Sequence, residues 1–275
     1  MEGVAPEGPE KEPAGGTKEG PHEGPPDGPK VFVLGSARSG TSILYLALHR
    51  VFELSGPGES HVFPIFVRIL HEFWQYREGL VAKDVKNKKL LAYRLDPKLF
   101  RAHLALFIRS FYAAQFPTGA WVDKTPGAEA ILATSMIMEA FPSAKIIATK
   151  RTGVEVVRSF STKFASGLEE ACNAWAGSMA ALHQASAKFP GILVVDQYDI
   201  ANSPAETAER IASYIGIPEK SAALAEFFTG TEFDRSSARS WQTRMTLADV
   251  DWGERGKRTF ERICGSMMER FDYPM

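Results

Sequence analysis

The sequence predicts an α/β fold in three layers, with a central parallel β-sheet flanked by helices and a helical insertion after the first βα unit. Two observations carry this prediction. Short apolar runs occupy residues 31–34, 120–122, 145–149 and 192–195, and stretches with helical spacing of apolar residues follow them. This alternation is typical of parallel sheets covered on both faces, whose ligands bind beyond the carboxyl ends of the strands.

The elements follow in chain order. The first run enters a glycine-containing turn and a helix, and the insertion at residues 53–118 is rich in helix formers. The second run precedes a predicted helix over residues 128–141, with Leu132 on its apolar face, and the third precedes one over residues 154–164. We expect most aromatic residues of the insertion in the core. They are Phe63, Phe66, Phe73, Trp74, Tyr76, Phe100, Phe107, Phe111 and Tyr112.

The first 29 residues differ in composition from the rest. They contain seven Pro, seven Gly, seven acidic and two basic residues, without an aromatic one. Such a segment cannot bury enough apolar surface to offset its ordering entropy, so we expect a disordered tail. Residues 30–275 are then expected to form a single domain.

The charge of that domain favours a small anionic ligand. Removing the tail's charge of −5 from the total of −1 leaves +4 on residues 30–275, which is too little to predict nucleic-acid binding. The sequence has no apolar run long enough to span a membrane and no secretory signal, so we expect a cytoplasmic protein without a membrane partner. Cys172 and Cys264 lack CxxC spacing and are expected as reduced core residues.

The stretch GSARSGTS, residues 35–42, has the form of a phosphate-binding loop that lacks one residue. In the triphosphate-binding pattern G-x-x-x-x-G-K-[ST], a lysine follows the second glycine. Here Thr41 follows Gly40, and Arg38 precedes Gly40 by two positions. A strand-to-helix loop presents backbone N–H groups and the positive end of the helix dipole to an anion. The sequence therefore predicts a P-loop-like anion site, but argues against triphosphate hydrolysis.

A second anion site is predicted after the third strand. Arg151 stands at the strand end, and Ser159 follows eight residues later in a helix. Arginine binds phosphate through a planar fork of N–H groups, and a hydroxyl group on a helix can contact the opposite side of the phosphate. Two such sites at one sheet edge indicate a ligand with two separate anionic groups.

These stretches resemble the sulfotransferases that use 3'-phosphoadenosine-5'-phosphosulfate (PAPS). ARSGTS is similar to their 5'-phosphosulfate loop, and IIATKRTGVEVVRS (residues 146–159) is similar to their 3'-phosphate motif. The motifs are closest to those of the tyrosylprotein and bacterial small-molecule sulfotransferases. Further similar stretches are WVDKTPG, VVDQYDIANSP and the ending MMERFDYP.

The resemblance implies PAPS as co-substrate, adenosine 3',5'-bisphosphate (PAP) as product, and no metal. It assigns Arg151 and Ser159 to the 3'-phosphate, and Arg239, within residues 235–244, to a cover over the nucleotide. Arg38 would also act on the transferred group. The residues expected to cradle the 5'-phosphosulfate are Arg38, Ser39, Gly40, Thr41 and Ser42.

Three further residues are implied to carry the chemistry. GPGESHVFPI, residues 56–65, resembles the segment of protein-tyrosine sulfotransferases that holds the catalytic glutamate, and Glu59 takes that place. We expect burial among apolar neighbours to raise its pKa and improve it as a base. His61 is the rival base, since histidine exchanges protons readily near neutral pH. Lys124 would stabilise the departing 5'-phosphate.

Two alternatives remain at this point. Asp196, after the fourth apolar run, could hold magnesium in a P-loop small-molecule or nucleoside kinase that uses ATP. The chain could also be an inactive nucleotide-binding protein of the same fold. As acceptor for the sulfotransferase we expect a small-molecule hydroxyl.

Overall fold

A parallel β-sheet organises the structure, which is a computed structural model that describes residues 28–82, 94–230 and 243–275. Within these ranges the strands are β1 (Lys30–Gly35), β2 (Trp121–Lys124), β3 (Lys145–Lys150) and β4 (Leu193–Asp196). Their order is β2-β1-β3-β4 and every pairing is parallel. The predicted α/β class is confirmed, and the four apolar runs match the strands to within two residues. The predicted tail, apart from residues 28 and 29, lies outside the described residues.

Strand register brings the chain segments that follow the strands to one edge. Gly35 of β1 pairs with Thr149 of β3, and Thr149 pairs with Val195 of β4. Val33 of β1 pairs with Lys124, the last residue of β2. The carboxyl ends of all described strands therefore meet, as expected for a parallel α/β sheet.

Helices follow or separate the strands. The described α-helices are α1 (Thr41–Val51), α2 (Val62–Ala82), α3 (Pro97–Gln115), α4 (Ala128–Leu132), α5 (Thr134–Ala140), α6 (Gly153–Phe164), α7 (Leu168–Lys188), α8 (Gln197–Asn202), α9 (Pro204–Ile215), α10 (Ser221–Gly230) and α11 (Gly253–Arg270).

Alternate side chains of β1 pack into two different apolar clusters. Phe32 and Leu34 pack in one apolar cluster with residues of α2 to α5 and α7. Val31 and Val33 pack in another with residues of α1 and α8 to α10. Successive strand residues point to opposite faces, so helices cover both sides of the sheet and give the predicted three layers.

The predicted helix over residues 128–141 is two helices in the structure. Thr134 Oγ1 donates to the Ile131 carbonyl at 2.6 Å, and Met136 N–H bonds to Ala133 O in the tighter i→i−3 pattern. Local bonds of this kind compete with the α-helical ladder. Leu132, predicted on the apolar face, is 56% exposed.

The insertion forms α2 and α3, but its aromatic residues are not all in the core. Phe63, Phe66 and Tyr112 are buried, whereas Tyr76 and Phe107 are more than half exposed. The expectation that most aromatic residues of the insertion lie in the core is therefore only partly correct.

Both cysteines lie in the core, as predicted. Cys172 of α7 and Cys264 of α11 are free and buried. No helix among the described residues has the length and apolar character needed to cross a membrane.

Candidate active site

The loop between β1 and α1 is held in one shape by close packing. Gly35 has φ of +143°, and a Cβ there would stand 2.5 Å from the Thr149 carbonyl oxygen, so only glycine fits. The buried Ser39 hydroxyl lies 2.6 Å from Ser36 O and 2.8 Å from Thr149 Oγ1. Ser39 was predicted to cradle phosphosulfate, but its side chain faces inward and fastens the loop to β3.

The beginning of α1 is open to an anion. Gly40 is the N-cap residue with φ of +100°, and no side chain of the described residues caps the helix there. The first N–H groups of a helix lack partners within it and carry the positive end of its dipole. Thr41 is buried and Ser42 exposed at this end. The start of α1 thus has the backbone form that its motif predicts, and anion binding there stays a prediction.

Arg38 connects this loop to the second predicted anion site. Its backbone has φ of +67°, a left-handed conformation uncommon outside glycine. Its Nε donates to Ser159 Oγ of α6 at 2.9 Å, and both side chains remain accessible. Two residues predicted to bind different phosphate groups are therefore in direct contact.

Arg151 lies deeper than Ser159. It is 6% exposed, and its guanidinium forms an ion pair with Glu155 at 3.2 Å. Burial raises the pKa of Glu155, although the charge of Arg151 favours the ionised carboxylate. Trp175 Nε1 donates to the Arg151 carbonyl at 3.1 Å, and Thr152 caps α6 by accepting from Glu155 N–H. Arg151 is thus fixed at the strand end by contacts on both its side chain and its backbone.

One hydrogen-bonded cluster contains three of the residues that were predicted to act in catalysis, Glu59, His61 and Lys124. Lys124 Nζ lies 2.8 Å from Glu59 Oε1 and 3.2 Å from Ser42 Oγ. The other Glu59 oxygen is 3.0 Å from His61 Nε2. Lys124 comes from β2, so a strand that follows the insertion brings an ammonium group to the loop that lacks its own lysine.

The pKa of Glu59 shifts opposite to the expected direction. Partial burial alone would raise it, but the hydrogen bonds and positive charges of Lys124 and His61 lower it below the ordinary value. The expectation of a raised pKa is wrong because the side chain is not surrounded by apolar groups: it is 45% exposed and paired on both oxygens.

A buried network holds the segment that carries Glu59 and His61. Asp123 accepts hydrogen bonds from Ser60 at 2.6 Å, from Thr125 at 3.2 Å and from the Tyr112 hydroxyl. His61 N–H donates to Thr125 Oγ1, and its φ is +52°. Burial raises the pKa of Asp123. Sequence reasoning missed this network, although Asp123 directly precedes Lys124 in the quoted WVDKTPG stretch.

Asp196 does not present free oxygens to a metal. Its Oδ2 accepts from Lys150 at 2.8 Å and from Arg244 and Tyr273 at 3.1 Å each, while Oδ1 caps α8 by accepting from Tyr198 N–H. The part of the chain that the structure describes also holds no group of three or more His, Cys, Asp or Glu residues placed to bind a metal. Both Asp196 oxygens thus have protein partners, which does not favour the magnesium-binding role of the kinase alternative.

Arg239 lies outside the described residues. Arg244, at the end of the stretch in which a nucleotide-covering residue was predicted, is described. Its guanidinium carbon lies 4.8 Å from the centre of the Tyr198 ring and 5.1 Å from that of Tyr273. The three residues that contact Asp196 Oδ2 were not singled out by sequence reasoning: Lys150, Tyr273 and Arg244. The quoted ending FDYP contains Tyr273 and was the available signal.

A cavity of about 500 Å³ opens beside the loop. Ala37 of the loop, His61 and Ile65 contribute to its wall, together with the turn before α4, Phe160 of α6 and one face of α7. Of the two candidate bases, His61 is the one that lines this cavity. Its volume lies within the range of roughly 300–1,000 Å³ found for small-molecule sites.

Comparison with solved structures shows a shared fold. The chain is similar to the sulfotransferase domain from the Synechococcus PCC 7002 olefin synthase, with 19% identity, a TM-score of 0.58, and coverage of 93% of this chain and 98% of that one. It is also similar to the sulfotransferase domain from the curacin biosynthetic pathway, with 16% identity, a TM-score of 0.52, and coverage of 90% and 99%. The predicted P-loop-like architecture is thus confirmed.

Comparison of sequences identifies the family. No curated protein sequence matches the chain. The profile described as the sulfotransferase family matches residues 29–221. That region is most of the chain and includes the loop after β1, Lys124 and Arg151. The chain therefore belongs to the sulfotransferase family.

Proposed function

We propose that the protein transfers a sulfuryl group from PAPS to the hydroxyl of a small-molecule acceptor, releasing a sulfate ester and PAP. The 2.9 Å contact between Arg38 and Ser159 carries this proposal. It joins the anion-binding loop after β1 to the helix after β3, so both predicted phosphate-binding elements face one space. A nucleotide with phosphate groups on its ribose 3' and 5' positions matches that arrangement.

The N–H groups at the start of α1 bind the 5'-phosphosulfate, and Arg38 and Lys124 add positive charge there. Arg151 and Ser159 bind the 3'-phosphate. Ser159 Oγ accepts from Arg38, which leaves the hydroxyl proton of Ser159 to donate to a phosphate oxygen. This set contains backbone donors, two arginines and a lysine, which suits an anionic ligand.

The acceptor hydroxyl attacks sulfur, a new O–S bond forms, and the bond between sulfur and the 5'-phosphate oxygen breaks. Negative charge then grows on that oxygen, where Lys124 beside Ser42 stabilises it. Positioning of the attacking acceptor oxygen and the departing phosphate oxygen supplies the rest of the rate acceleration, as in phosphoryl transfer.

The Glu59–His61 pair takes the acceptor proton. Because ionised Glu59 can only accept, the 3.0 Å contact requires a proton on His61 Nε2 and leaves Nδ1 as the proton acceptor. Glu59 orients the ring and stabilises the imidazolium that forms. We therefore assign the base to His61, which lines the cavity, and positioning to Glu59, whose lowered pKa makes it a weaker base.

The test combines binding and product detection. The purified protein is incubated with PAPS and a panel of simple alcohols in the presence of EDTA, and sulfate esters are measured by mass spectrometry. We expect esters without magnesium, and PAP binding tighter than that of adenosine 5'-phosphate. Magnesium-dependent phosphorylation by ATP would instead support the kinase alternative, and PAP binding without any ester would support the inactive one.

A further inference from the structure

The apolar wall of the cavity continues outward along the helices that surround it. In the described part of the chain, three helices each carry an apolar cavity-lining residue and an exposed apolar residue four positions later. Residues four apart lie on the same helix face. The pairs are Ile65 and Ile69 on α2, Ala128 and Leu132 on α4, and Phe160 and Phe164 on α6.

The outer member of each pair is about half exposed. Ile69 is 47% exposed, Leu132 56% and Phe164 54%. We call these three residues the apolar rim. Single exposed apolar residues are normal on protein surfaces. Each of these three lies about one helical turn beyond a residue that lines the same cavity, and grouped exposed apolar residues mark a binding site more often than single ones do.

One contact within α6 and one between α2 and α4 hold the helices that carry the rim. The Phe160 and Phe164 rings have centroids 4.7 Å apart, so α6 continues the cavity wall without a break. Arg68 of α2 bonds to both carboxylate oxygens of Glu129 of α4 at 2.8 Å, which ties the two other helices together. Arg68 and Glu129 line the cavity as well.

Polar groups line the cavity at His61 and Ser36, and the paired Arg68 and Glu129 add two charges that compensate each other. His61 and the loop residues Ser36 and Ala37 form the inner wall next to the anion site. A molecule that fills the cavity and follows the rim would therefore place a polar group at His61 and an apolar chain on Ile69, Leu132 and Phe164.

We infer that the acceptor is an amphiphilic alcohol with an unbranched apolar chain longer than the cavity, its hydroxyl at His61 and its chain on the apolar rim. This inference rests on the proposed sulfuryl transfer and narrows its acceptor. The alkyl chain of the acceptor, and not a partner protein, covers the apolar rim. The reason is that the rim continues the wall of the cavity lined by the proposed base, His61.

The test measures acceptor preference with PAPS and a series of straight-chain primary alcohols from butanol to dodecanol. Each buried methylene contributes about 0.8 kcal/mol, which corresponds to about a fourfold gain in kcat/KM. We expect this gain to continue through the longer members. The monomethyl ether of triethylene glycol, a polar chain of similar length to decanol, should react no better than butanol.

A variant pair locates the effect. The double substitution Ile69→Asn and Leu132→Asn should lower kcat/KM for dodecanol about tenfold, because both changes replace apolar contact area with amide groups, and leave the value for butanol unchanged. Leu99→Asn is the matched control, since Leu99 is 53% exposed on α3 and is not a cavity-lining residue. It should change neither value.

Equal kcat/KM for butanol and dodecanol, or an unaffected double variant, would overturn the inference and leave the proposed function intact. Equal reaction of the polar ether and decanol would do the same. Failure to sulfate any alcohol in the series, with PAP binding retained, would overturn both.

Discussion

Arg38 Nε donates a hydrogen bond to Ser159 Oγ at 2.9 Å, across 121 positions of the sequence. The contact joins a loop that follows the central strand to a helix that follows its neighbour. Each residue is an ordinary surface side chain by itself. Together they bring the two predicted anion-binding elements into contact, so a ligand bound to one element should be sensitive to changes in the other.

The first prediction concerns Ser159. Ser159→Ala removes a donor to the 3'-phosphate and the partner of Arg38. A hydrogen bond to a charged group contributes about 1.5–3 kcal/mol, so we expect PAP affinity to fall by about one to two orders of magnitude. Adenosine 5'-phosphate lacks the 3'-phosphate, and its affinity should change little. Calorimetric titration measures both.

Ser161→Ala, two positions further along α6, is the control and should leave both affinities unchanged. An equal loss for both nucleotides in Ser159→Ala would show that Ser159 acts only through Arg38 and would contradict its assignment to the 3'-phosphate.

The second prediction concerns the buried pair of Arg151 and Glu155. Glu155→Gln leaves the arginine charge buried without its carboxylate, which typically costs about 3–5 kcal/mol in the free energy of unfolding. The double variant Arg151→Gln and Glu155→Gln removes both charges and should recover much of that stability. Chemical denaturation measures these values.

The same variants separate folding from binding. PAP should raise the Tm of Glu155→Gln, because it supplies negative charge near Arg151, and should raise the Tm of the double variant much less. A normal Tm increase with PAP in the double variant would remove Arg151 from the nucleotide site.

Local patterns in the sequence were sufficient to predict the sheet and its loop. The strands are short apolar runs, and the anion loop is a contiguous motif whose glycines are required by the backbone, as Gly35 shows by its contact with Thr149. Parallel topology then brings Lys124 and Arg151 to the same edge without further information. These features depend on neighbours in sequence or on rules common to all such sheets.

Contacts between distant residues could not be predicted in this way. The bond of Tyr112 to Asp123 and that of Lys150 to Tyr273 depend on how helices and the chain end pack against strand ends. The direction of the pKa shift of Glu59 was predicted wrongly for the same reason. Lys124 is 65 positions away, and no local pattern in the sequence predicts its contact with Glu59.

The third prediction concerns Lys124. Lys124→Met removes the ammonium group that contacts Glu59 and Ser42. We expect kcat to fall by about 10²–10³, the loss typical for one group that stabilises developing charge. Lys124→Arg keeps the charge and should retain more activity than Lys124→Met. Single-turnover kinetics with saturating PAPS measures the chemical step.

PAP affinity should change much less than kcat in Lys124→Met, because Lys124 acts mainly on charge that develops during transfer. A parallel loss of PAP affinity and kcat would instead indicate that Lys124 only binds the nucleotide.

The fourth prediction follows from the lowered pKa of Glu59. A carboxyl group whose pKa is lower in the folded than in the unfolded protein binds fewer protons when folded. Its contribution to stability is therefore complete above the unfolded value of about 4.3 and is lost as the pH falls through the folded value.

Glu59→Gln cannot titrate, so its unfolding free energy should fall less than that of the wild type below about pH 4.3. Denaturant titrations across that range measure the difference between the two proteins, which should be constant at higher pH. Lys124→Met should show the same flattening, since it removes a positive charge that lowers the pKa of Glu59. If the wild type and Glu59→Gln lose stability in parallel on acidification, Glu59 is not held by Lys124 and His61 in solution, and its role in orienting the His61 ring must be abandoned.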